Sequence, residues 1–392
     1  MNTLPPVAAA PLPTTPRAFS CQCGRPVFFR NSFCLACGTP LGYESHLRFL
    51  LPLEPSLDGL PVFDEAGNAV SFWRRVGAGA GAARYRRCGH LETAAACNWL
   101  VGESEVQAGA FPLCRSCRLT RTLPDLSNAE NARWWMRIEL AKRRLVSSLI
   151  GLNLPVLSRT FEDPQRGLVF DLLRSAPGAL AVVTGHADGV ITLDIEEADD
   201  AWREQRRAAL GEPYRTLLGH LRHECGHYYW QRLVDGSDWL PTFREIFGDE
   251  RQDYAQALQA HYAQGSPTGW GLHFVSAYAS SHPWEDWAET WAHYLHLHET
   301  LDTAHSFGLH GEGVELHYER FNSADVAAGN DETVGEFLNL INGWMELTGV
   351  LNELSRSMGV ADFYPFVLSV AAVRKLYLVH RVIASAGTAA AN

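Results

Sequence analysis

The stretch that decides the fold is Gly219-His-Leu-Arg-His-Glu-Cys-Gly-His-Tyr-Tyr-Trp230, which contains the pattern His223-Glu-x-x-His227. On a helix, residues four apart project from one face about a turn apart, so both imidazoles can bind one metal ion. Glu224 lies at the side of that face, where it can take a proton from a metal-bound water. So short a pattern also arises by chance. Whether it forms a metal site depends on a third ligand elsewhere in the chain.

A candidate for the third ligand lies in Pro283-Trp-Glu-Asp-Trp-Ala-Glu-Thr-Trp291. Pro283 suits the first turn of a helix, on which Glu285 and Glu289 share one face. Glu285 can complete a His-His-Glu zinc site, and Glu289 can accept a hydrogen bond from a ligand imidazole and fix its tautomer. The alternative is two solvated glutamates. The flanking tryptophans favour a covered helix, where uncompensated carboxylates are rare.

The bulk composition is that of a soluble globular protein, with 392 residues, 46% apolar and 20% charged. A membrane span is not expected, because there is no run of about 18 or more apolar residues. Residues 1–18 are rich in proline, alanine and threonine, which predicts a disordered tail and not a signal peptide, and hence a cytoplasmic location. Charge is uneven, with a balance of +6 over residues 1–150 and −17 over the rest.

Eight of the nine cysteines lie between residues 21 and 117. A disulfide framework would be unusual in a leaderless chain of this size, so metal binding is the preferred interpretation. The cysteines form two quartets: Cys21, Cys23, Cys34 and Cys37, then Cys88, Cys97, Cys114 and Cys117. Neither quartet leaves an open position, so both predict structural zinc. His90 is close enough in sequence to replace one thiolate of the second quartet, although a surface histidine is the simpler account.

Six arginines cluster around the second quartet: Arg84, Arg86, Arg87, Arg115, Arg118 and Arg121. Because the front third is basic, any polyanion-binding site is expected there. One interpretation of the cluster is a nucleic-acid surface. The other, which we favour, is a solvated basic face that contacts the acidic remainder of the chain.

The segment before the motif predicts a helix over residues 129–150, with Ser127 and Glu130 at capping-box spacing. Strands are predicted within residues 167–173, 181–186 and 189–195, and the Asp188-Gly turn indicates a hairpin. In zinc peptidases such a strand commonly borders the cleft and pairs with an extended substrate. His186 at its end could face the site but is more often a turn histidine. A helix beginning near Pro213 is predicted to lead into the motif.

Two further residues around the motif have open roles at this point. His220 lies one turn before His223 and could support the site from outside the ligand set. Cys225 is interpreted as a small packing residue, with a reactive thiol as the alternative. Beyond the motif, residues 333–385 are predicted to form helices that buttress the domain. Five histidines lack ligand spacing and are interpreted as bystanders: His296, His298, His305, His310 and His317.

The two motif segments resemble the gluzincin arrangement, in which a glutamate on a second helix is the third zinc ligand. Tyr278, seven residues before Glu285, resembles the lethal-factor-like metallopeptidases, whose tyrosine there supports the tetrahedral intermediate. More broadly, nearly the whole chain resembles a bacterial family of zinc-binding metallopeptidases with an N-terminal zinc ribbon. The stretches that match are Cys21-x-Cys23-Gly, Cys34-x-x-Cys37-Gly, Cys97-Asn-Trp, Cys114-Arg-Ser-Cys117, Thr184-Gly-His186, Glu212-Pro-Tyr-Arg-Thr-Leu-Leu-Gly-His, Arg222-His-Glu-x-Gly-His-Tyr-Tyr-Trp, Phe247-Gly-Asp-Glu-Arg and His282-Pro-Trp-Glu-Asp-Trp-Ala-Glu-Thr-Trp.

The expected fold is therefore α+β: a zinc-ribbon N-terminal domain, then a mostly helical gluzincin-like metallopeptidase domain with a small β-sheet. The expected divisions are a disordered tail over 1–18, the ribbon region over 19–125, the catalytic domain over 126–325 and C-terminal helices over 326–386. The resemblance gives a reaction class and no substrate.

The expected activity is hydrolysis of peptide bonds by a zinc-activated water, in a zinc site of His223, His227 and Glu285. Glu224 would be the general base and Tyr278 an oxyanion donor, with one catalytic and two structural zinc ions per chain. A catalytically inactive zinc-ribbon adaptor that binds nucleic acid or protein is the main alternative. A metal-dependent amidase that acts on non-protein substrates is the other.

Overall fold

The computed structural model describes residues 14–389 except 59–62, 64–66, 68, 108–111, 176–177, 179–180, 211–214, 329–330 and 332. The architecture is α+β, as predicted, with a strand-rich front part and a mostly helical remainder that carries a small sheet. One continuous apolar core runs from Phe19 to Ile383 through both parts. None of the helices in the described ranges has the length and apolarity that a membrane span needs.

The front part contains a two-stranded and a five-stranded sheet, both antiparallel. Their strands, in chain order, are β1 (Phe19–Ser20), β2 (Pro26–Val27), β3 (Leu41–Glu44), β4 (Phe49–Ser56), β5 (Phe72–Arg75), β6 (Tyr85–Arg87) and β7 (Leu100–Gly102). A short helix, α1 (Glu103–Gln107), follows the last strand. Strand β4 buries side chains on both faces: Leu50 lies in the main core, and Leu51 and Leu53 lie in a smaller apolar cluster with Tyr85 and Leu100.

The small sheet of the remainder has four strands in the order β10-β11-β9-β8. Its strands are β8 (Thr120–Thr122), β9 (Val169–Leu173), β10 (Gly185–Ala187) and β11 (Val190–Asp194). The predicted hairpin is present, because β10 and β11 pair antiparallel across a turn at Asp188 and Gly189, whose φ angles are 47° and 78°. Strand β10 spans fewer residues than predicted and lies at the edge of the sheet.

Helices make up most of the remainder. They are α2 (Ala129–Gly151), α3 (Asp200–Leu210), α4 (Leu217–Leu233), α5 (Leu240–Phe247), α6 (Tyr254–Gln264), α7 (Pro283–Ser306), α8 (Val334–Ser357) and α9 (Val370–Ala389). The sequence motif lies in the middle of α4 and the second glutamate pair in the first two turns of α7. The predicted C-terminal helices correspond to α8 and α9.

Two predicted helix starts differ from the structure. The N-cap of α2 is Asn128, whose side chain accepts from the backbone N of Glu130 at 2.9 Å, so the capping box expected at Ser127 does not form. Helix α4 begins at Leu217, and its cap is Thr216, whose Oγ1 accepts from Gly219 N at 3.0 Å. Pro213 itself lies outside the described residues.

Helices α4 and α7 lie in unusually close contact. A Cβ placed on Gly226 would lie 2.9 Å from Cα of Ala288 and 3.2 Å from Cβ of Trp291. Trp287 Nε1 also donates to the carbonyl of Gly226 at 3.0 Å. Because Gly226 has no side chain at this crossing, α4 and α7 can approach closely enough for His223 and His227 on α4 to face Glu285 on α7.

The N-terminal segment is ordered at its end. Residues 1–13 of the predicted tail lie outside the described residues, but Thr15 and Arg17 are buried, in contrast to the prediction. Arg17 donates to Oγ of Ser147 and of Ser148, both at 3.2 Å. It also lies 3.5 Å from the carboxylate of Glu299 on α7. The segment is therefore tied to α2 and α7 by buried polar contacts.

Candidate metal centre

Three side chains from α4 and α7 converge at the helix crossing. The donor atoms of His223, His227 and Glu285 all lie within 4.8 Å of one another, and all three residues are buried. Nε2 of His223 lies 3.0 Å from Oε2 of Glu285, and Nε2 of His227 lies 3.5 Å from Oε1. The i, i+4 pair therefore faces one carboxylate from the neighbouring helix, as the sequence pattern predicts.

The donor set fits a zinc ion. Oε2 of Glu285 is buried with no hydrogen-bond partner among the described residues, and Nε2 of His223 lies 3.0 Å from it. A buried carboxylate oxygen without a partner is costly, so its position beside two imidazoles indicates a ligand. Two imidazole nitrogens and one carboxylate form a three-residue set that zinc accepts while keeping a fourth position open.

Glu289 fixes the orientation of His223. Nδ1 of His223 donates to Oε1 of Glu289 at 2.6 Å, which leaves Nε2 to face Glu285. Ser276 Oγ donates to the other carboxylate oxygen, also at 2.6 Å. Although burial opposes ionisation, the hydrogen bond from His223 lowers the pKa of Glu289 to about 2. Glu289 thus lies outside the group of His223, His227 and Glu285, and its hydrogen bond holds His223 in the tautomer that a metal ligand at Nε2 would need.

Glu224 lies beside the triad and is held by His220. Nε2 of His220 lies 3.2 Å from Oε1 of Glu224, and its Nδ1 contacts Glu197. Oε2 of Glu224 has no hydrogen-bond partner among the described residues. Burial raises the pKa of Glu224, but the hydrogen bond to His220 outweighs it, and the net pKa lies below the ordinary value. One oxygen of a buried, ionised carboxylate is therefore free to accept a proton.

Glu197 was not predicted from the sequence. It is buried at 3% exposure, accepts from Thr184 Oγ1 at 2.5 Å, and contacts His220 from the side opposite Glu224. Burial opposes the charge on His220, yet Glu197 and Glu224 together raise its pKa to about 10. A positive imidazole between two carboxylates thus steadies the candidate base.

Two tyrosines lie at the site. The ring of Tyr278, predicted from its spacing to Glu285, lies 5.9 Å from the ring of His223. Burial, with the negative charge of Glu285, raises the pKa of Tyr278, so its hydroxyl stays protonated. Tyr254, which no sequence pattern marks, donates to Oε1 of Glu285 at 2.6 Å.

The remaining predicted residues have different places. The ring of His186 stacks 6.4 Å from that of His227, but its Nε2 accepts from Gly189 N at 2.9 Å. Burial lowers the pKa of His186 to about 4, so it is neutral. His186 is thus a turn residue beside the site. Cys225 is fully buried, and burial raises the pKa of its thiol, which fits the packing interpretation.

Each of the two predicted cysteine quartets is assembled in the structure. In each, the four sulfurs lie within 4.8 Å of one another. The distances are 3.6 Å for Cys21–Cys37, 3.8 Å for Cys23–Cys34 and 3.6 Å for Cys97–Cys114. A tetrahedral zinc with Zn–S bonds of about 2.3 Å places sulfurs about 3.8 Å apart, so these spacings fit the ion. His90 is not in either group of the described residues and contacts the ring of Trp135 instead.

The arginine cluster forms ion pairs both with the acidic remainder of the chain and within the front part. Arg118 lies 2.5 Å from Glu162, and Nε of Arg121 donates to Asp171 at 3.0 Å. Both carboxylates belong to the acidic remainder of the chain, which is the contact that the favoured interpretation expects. Arg118 is buried, however, so it is not part of a solvated face. Arg84 instead pairs with Glu103 within the front part.

Known proteins resemble this chain over most of its length. Residues 131–382 match a family described as "putative zinc-binding metallo-peptidase", and residues 18–128 match a zinc-ribbon domain. Uncharacterized proteins of Mycobacterium bovis and Mycobacterium tuberculosis are 41% identical over 372 residues, covering 94% of this chain and 95% of theirs. No solved structure matches. The chain belongs to this zinc-binding metallopeptidase family and carries its N-terminal zinc ribbon.

Proposed function

We propose that the protein is a zinc-dependent peptidase of the gluzincin type, with His223, His227 and Glu285 as the residues that hold the catalytic zinc. The observation that supports this most is the convergence of these three buried donors, within 4.8 Å, beside a carboxylate with one free oxygen. When bound, zinc acts as a Lewis acid and lowers the pKa of a coordinated water towards about 7.

The chain's own residues supply the acid–base chemistry in this proposal. Glu224 takes the proton of the attacking water on Oε2, while His220 holds Oε1. The same carboxyl group then passes the proton to the leaving amine. Tyr278 donates its hydroxyl to the oxyanion that develops on the peptide carbonyl, an effect of about 2.7–4 kcal/mol for one well-placed donor.

Strand β10 supports a polypeptide substrate. It lies at the edge of the four-stranded sheet, and His186 on it is in ring contact with His227. An edge strand offers backbone groups in register to an extended peptide. We therefore infer that the substrate lies antiparallel or parallel to β10, with its scissile bond at the triad. The two cysteine quartets would hold structural zinc in the front part.

The test is cleavage of a broad peptide library by the full-length, zinc-loaded protein and by Glu224→Gln. We expect cleavage by the wild type and a loss of about 10²–10⁴-fold in the variant, which is the range that general acid–base groups contribute. Zinc content should stay at the wild-type level, because Glu224 is not a ligand here. Cleavage that survives Glu224→Gln would contradict the mechanism. A wild type that cuts no peptide would contradict the function and favour the adaptor or amidase alternatives.

A further inference from the structure

A long excursion of the chain lies against the metal centre. Residues 248–274 connect α5 to the turn that carries Tyr278, and they include α6. The structure describes all of these residues, and none of them is buried. The flanking residues Phe247 and Val275 are buried, at 7% and 1% exposure. The excursion thus contributes no fully buried side chain, and within it only Phe274, at its end, packs against the apolar core. Few buried apolar contacts lower the free-energy cost of opening a segment.

Individual polar contacts hold the excursion in place. His282 Nε2 donates to the carbonyl of Gln252 at 3.2 Å, and Ser266 Oγ donates to that of Ala277 at 3.1 Å. Lys375 Nζ donates to the carbonyl of His273 at 2.7 Å. These contacts lie around the rim, on residues outside the triad.

Tyr254 makes the contact that reaches the triad itself. Its hydroxyl donates to Oε1 of Glu285 at 2.6 Å, the same oxygen that lies 3.5 Å from Nε2 of His227. The ring packs edge-on against Trp284, with 5.8 Å between centroids. A hydrogen bond to a ligating carboxylate orients it and is commonly worth 10–100-fold in metal affinity.

We propose that residues 248–274 form a lid over the metal centre, and that Tyr254 is its latch and the positioning residue for Glu285. In the closed arrangement the hydroxyl holds Oε1 of Glu285 in its ligating direction. Opening of the lid breaks this hydrogen bond, and closure restores it. The proposal rests on the proposed function only for the identity of the metal triad, since cleavage plays no part in the test below.

The first experiment compares Tyr254→Phe with Tyr262→Phe in the full-length protein. Tyr262 lies on the same helix, is 64% exposed and serves as the matched control. Two quantities are measured. One is deuterium uptake by the backbone amides of α6, and the other is the affinity for zinc at the His223–His227–Glu285 site, determined by chelator competition. That zinc is identified as the ion lost in His227→Ala. For Tyr254→Phe we expect faster uptake and a zinc affinity lower by about 10–100-fold. For the control we expect wild-type values. If either quantity is unchanged in Tyr254→Phe, the latch is contradicted, because it must alter both.

The second experiment separates a specific bond from general loosening. In a His227→Ala background, chosen to remove the zinc of this site and keep both cysteine sites loaded, Tyr254→Phe, Glu285→Ala and the double variant are compared for uptake in α6. If the two side chains act through one hydrogen bond, the double variant exchanges no faster than the faster single variant. Additive increases would overturn the proposal. If both experiments support the latch but the wild type cleaves no peptide, the lid proposal stands and only the proposed peptidase function is contradicted.

Discussion

Gly226 on α4 and Ala288 on α7 meet so closely that a Cβ on Gly226 would lie 2.9 Å from Cα of Ala288. This contact lies between His223 and His227 along α4 and one turn beyond Glu285 along α7. The glycine inside the motif is therefore what lets Glu285 reach the two histidines. Gly226, which has no side chain to bind a metal, thus sets the distance between the two histidines and Glu285.

The first prediction concerns this contact. Gly226→Ala must push the helices apart, because the atoms that its Cβ meets are mostly backbone. We expect a loss of about 1–3 kcal/mol in the free energy of unfolding, as for other overpacked sites. Weaker binding of one zinc ion should accompany it. Denaturant unfolding and metal analysis measure the two effects. Gly335→Ala on α8 is the control, since no atom lies within 4 Å of its added Cβ. Equal behaviour of the two variants would show that the crossing does not depend on Gly226.

The second prediction concerns the residues behind Glu224, the proposed general base. Glu197→Gln removes the charge that holds His220, whose other nitrogen lies 3.2 Å from Glu224. We expect peptide cleavage to fall by about 10–100-fold while zinc content stays unchanged, as for other supporting contacts. Glu196→Gln is the matched control, because Glu196 is the adjacent residue and its carboxylate faces Arg174, at 3.8 Å, and not His220. Wild-type kcat in Glu197→Gln would mean that His220 does not depend on this partner.

The third prediction concerns the buried charge cluster on α7. Glu299 contacts Arg17, Arg144 and Arg222, and accepts from Ser148 Oγ at 2.6 Å. Glu299→Gln leaves buried guanidinium groups uncompensated, so we expect a loss of about 3–5 kcal/mol in the free energy of unfolding. Glu353→Gln, at an exposed pair with Arg356, should change it by less than about 1 kcal/mol. A small loss in Glu299→Gln would contradict a structural role for the cluster.

The same cluster predicts a pH dependence. Burial opposes ionisation of Glu299, but the arginines lower its pKa to about 2. A carboxyl group with a depressed folded-state pKa stabilises fully above its unfolded pKa, near 4.3, and loses that contribution as the pH falls towards 2. Unfolding midpoints measured across this window should decline more steeply for the wild type than for Glu299→Gln. Parallel declines would show that another group dominates.

The fourth prediction concerns metal content. The two cysteine quartets and the His-His-Glu triad together predict about three zinc ions per chain. His227→Ala should lose one of them, and His317→Ala, an exposed histidine, should lose none. Metal analysis of the purified proteins measures this directly. Equal zinc in His227→Ala and wild type would rule out the triad as a zinc site.

The sequence predicted those parts of the site that lie within local patterns. The i, i+4 histidines, the glutamate pair on α7 and the Asp188-Gly turn each follow from a helical or hairpin repeat of a few residues. The cap of α2 was misplaced by one residue, because Ser127 and Asn128 are both good caps and spacing alone favoured the first.

The residues that the sequence did not predict act across long separations. Tyr254 meets Glu285 from 31 residues away, and Glu197 meets His220 from 23. Lys375 on α9 likewise forms a buried pair with Asp286, at 2.6 Å. No repeat marks such partners, since they depend on how whole helices pack. The end of the N-terminal segment was misjudged for the same reason: its composition is that of a loose tail, but Arg17 finds a buried carboxylate on α7.

The most direct test of the central claim is a crystal structure of the zinc-loaded protein with anomalous data at the zinc edge. We expect one peak among Nε2 of His223, Nε2 of His227 and the carboxylate of Glu285, with Glu289 outside the coordination shell and still bonded to Nδ1 of His223. Two further peaks should lie in the cysteine quartets. A peak coordinated by Glu289 in place of Glu285, or no peak between α4 and α7, would contradict the account.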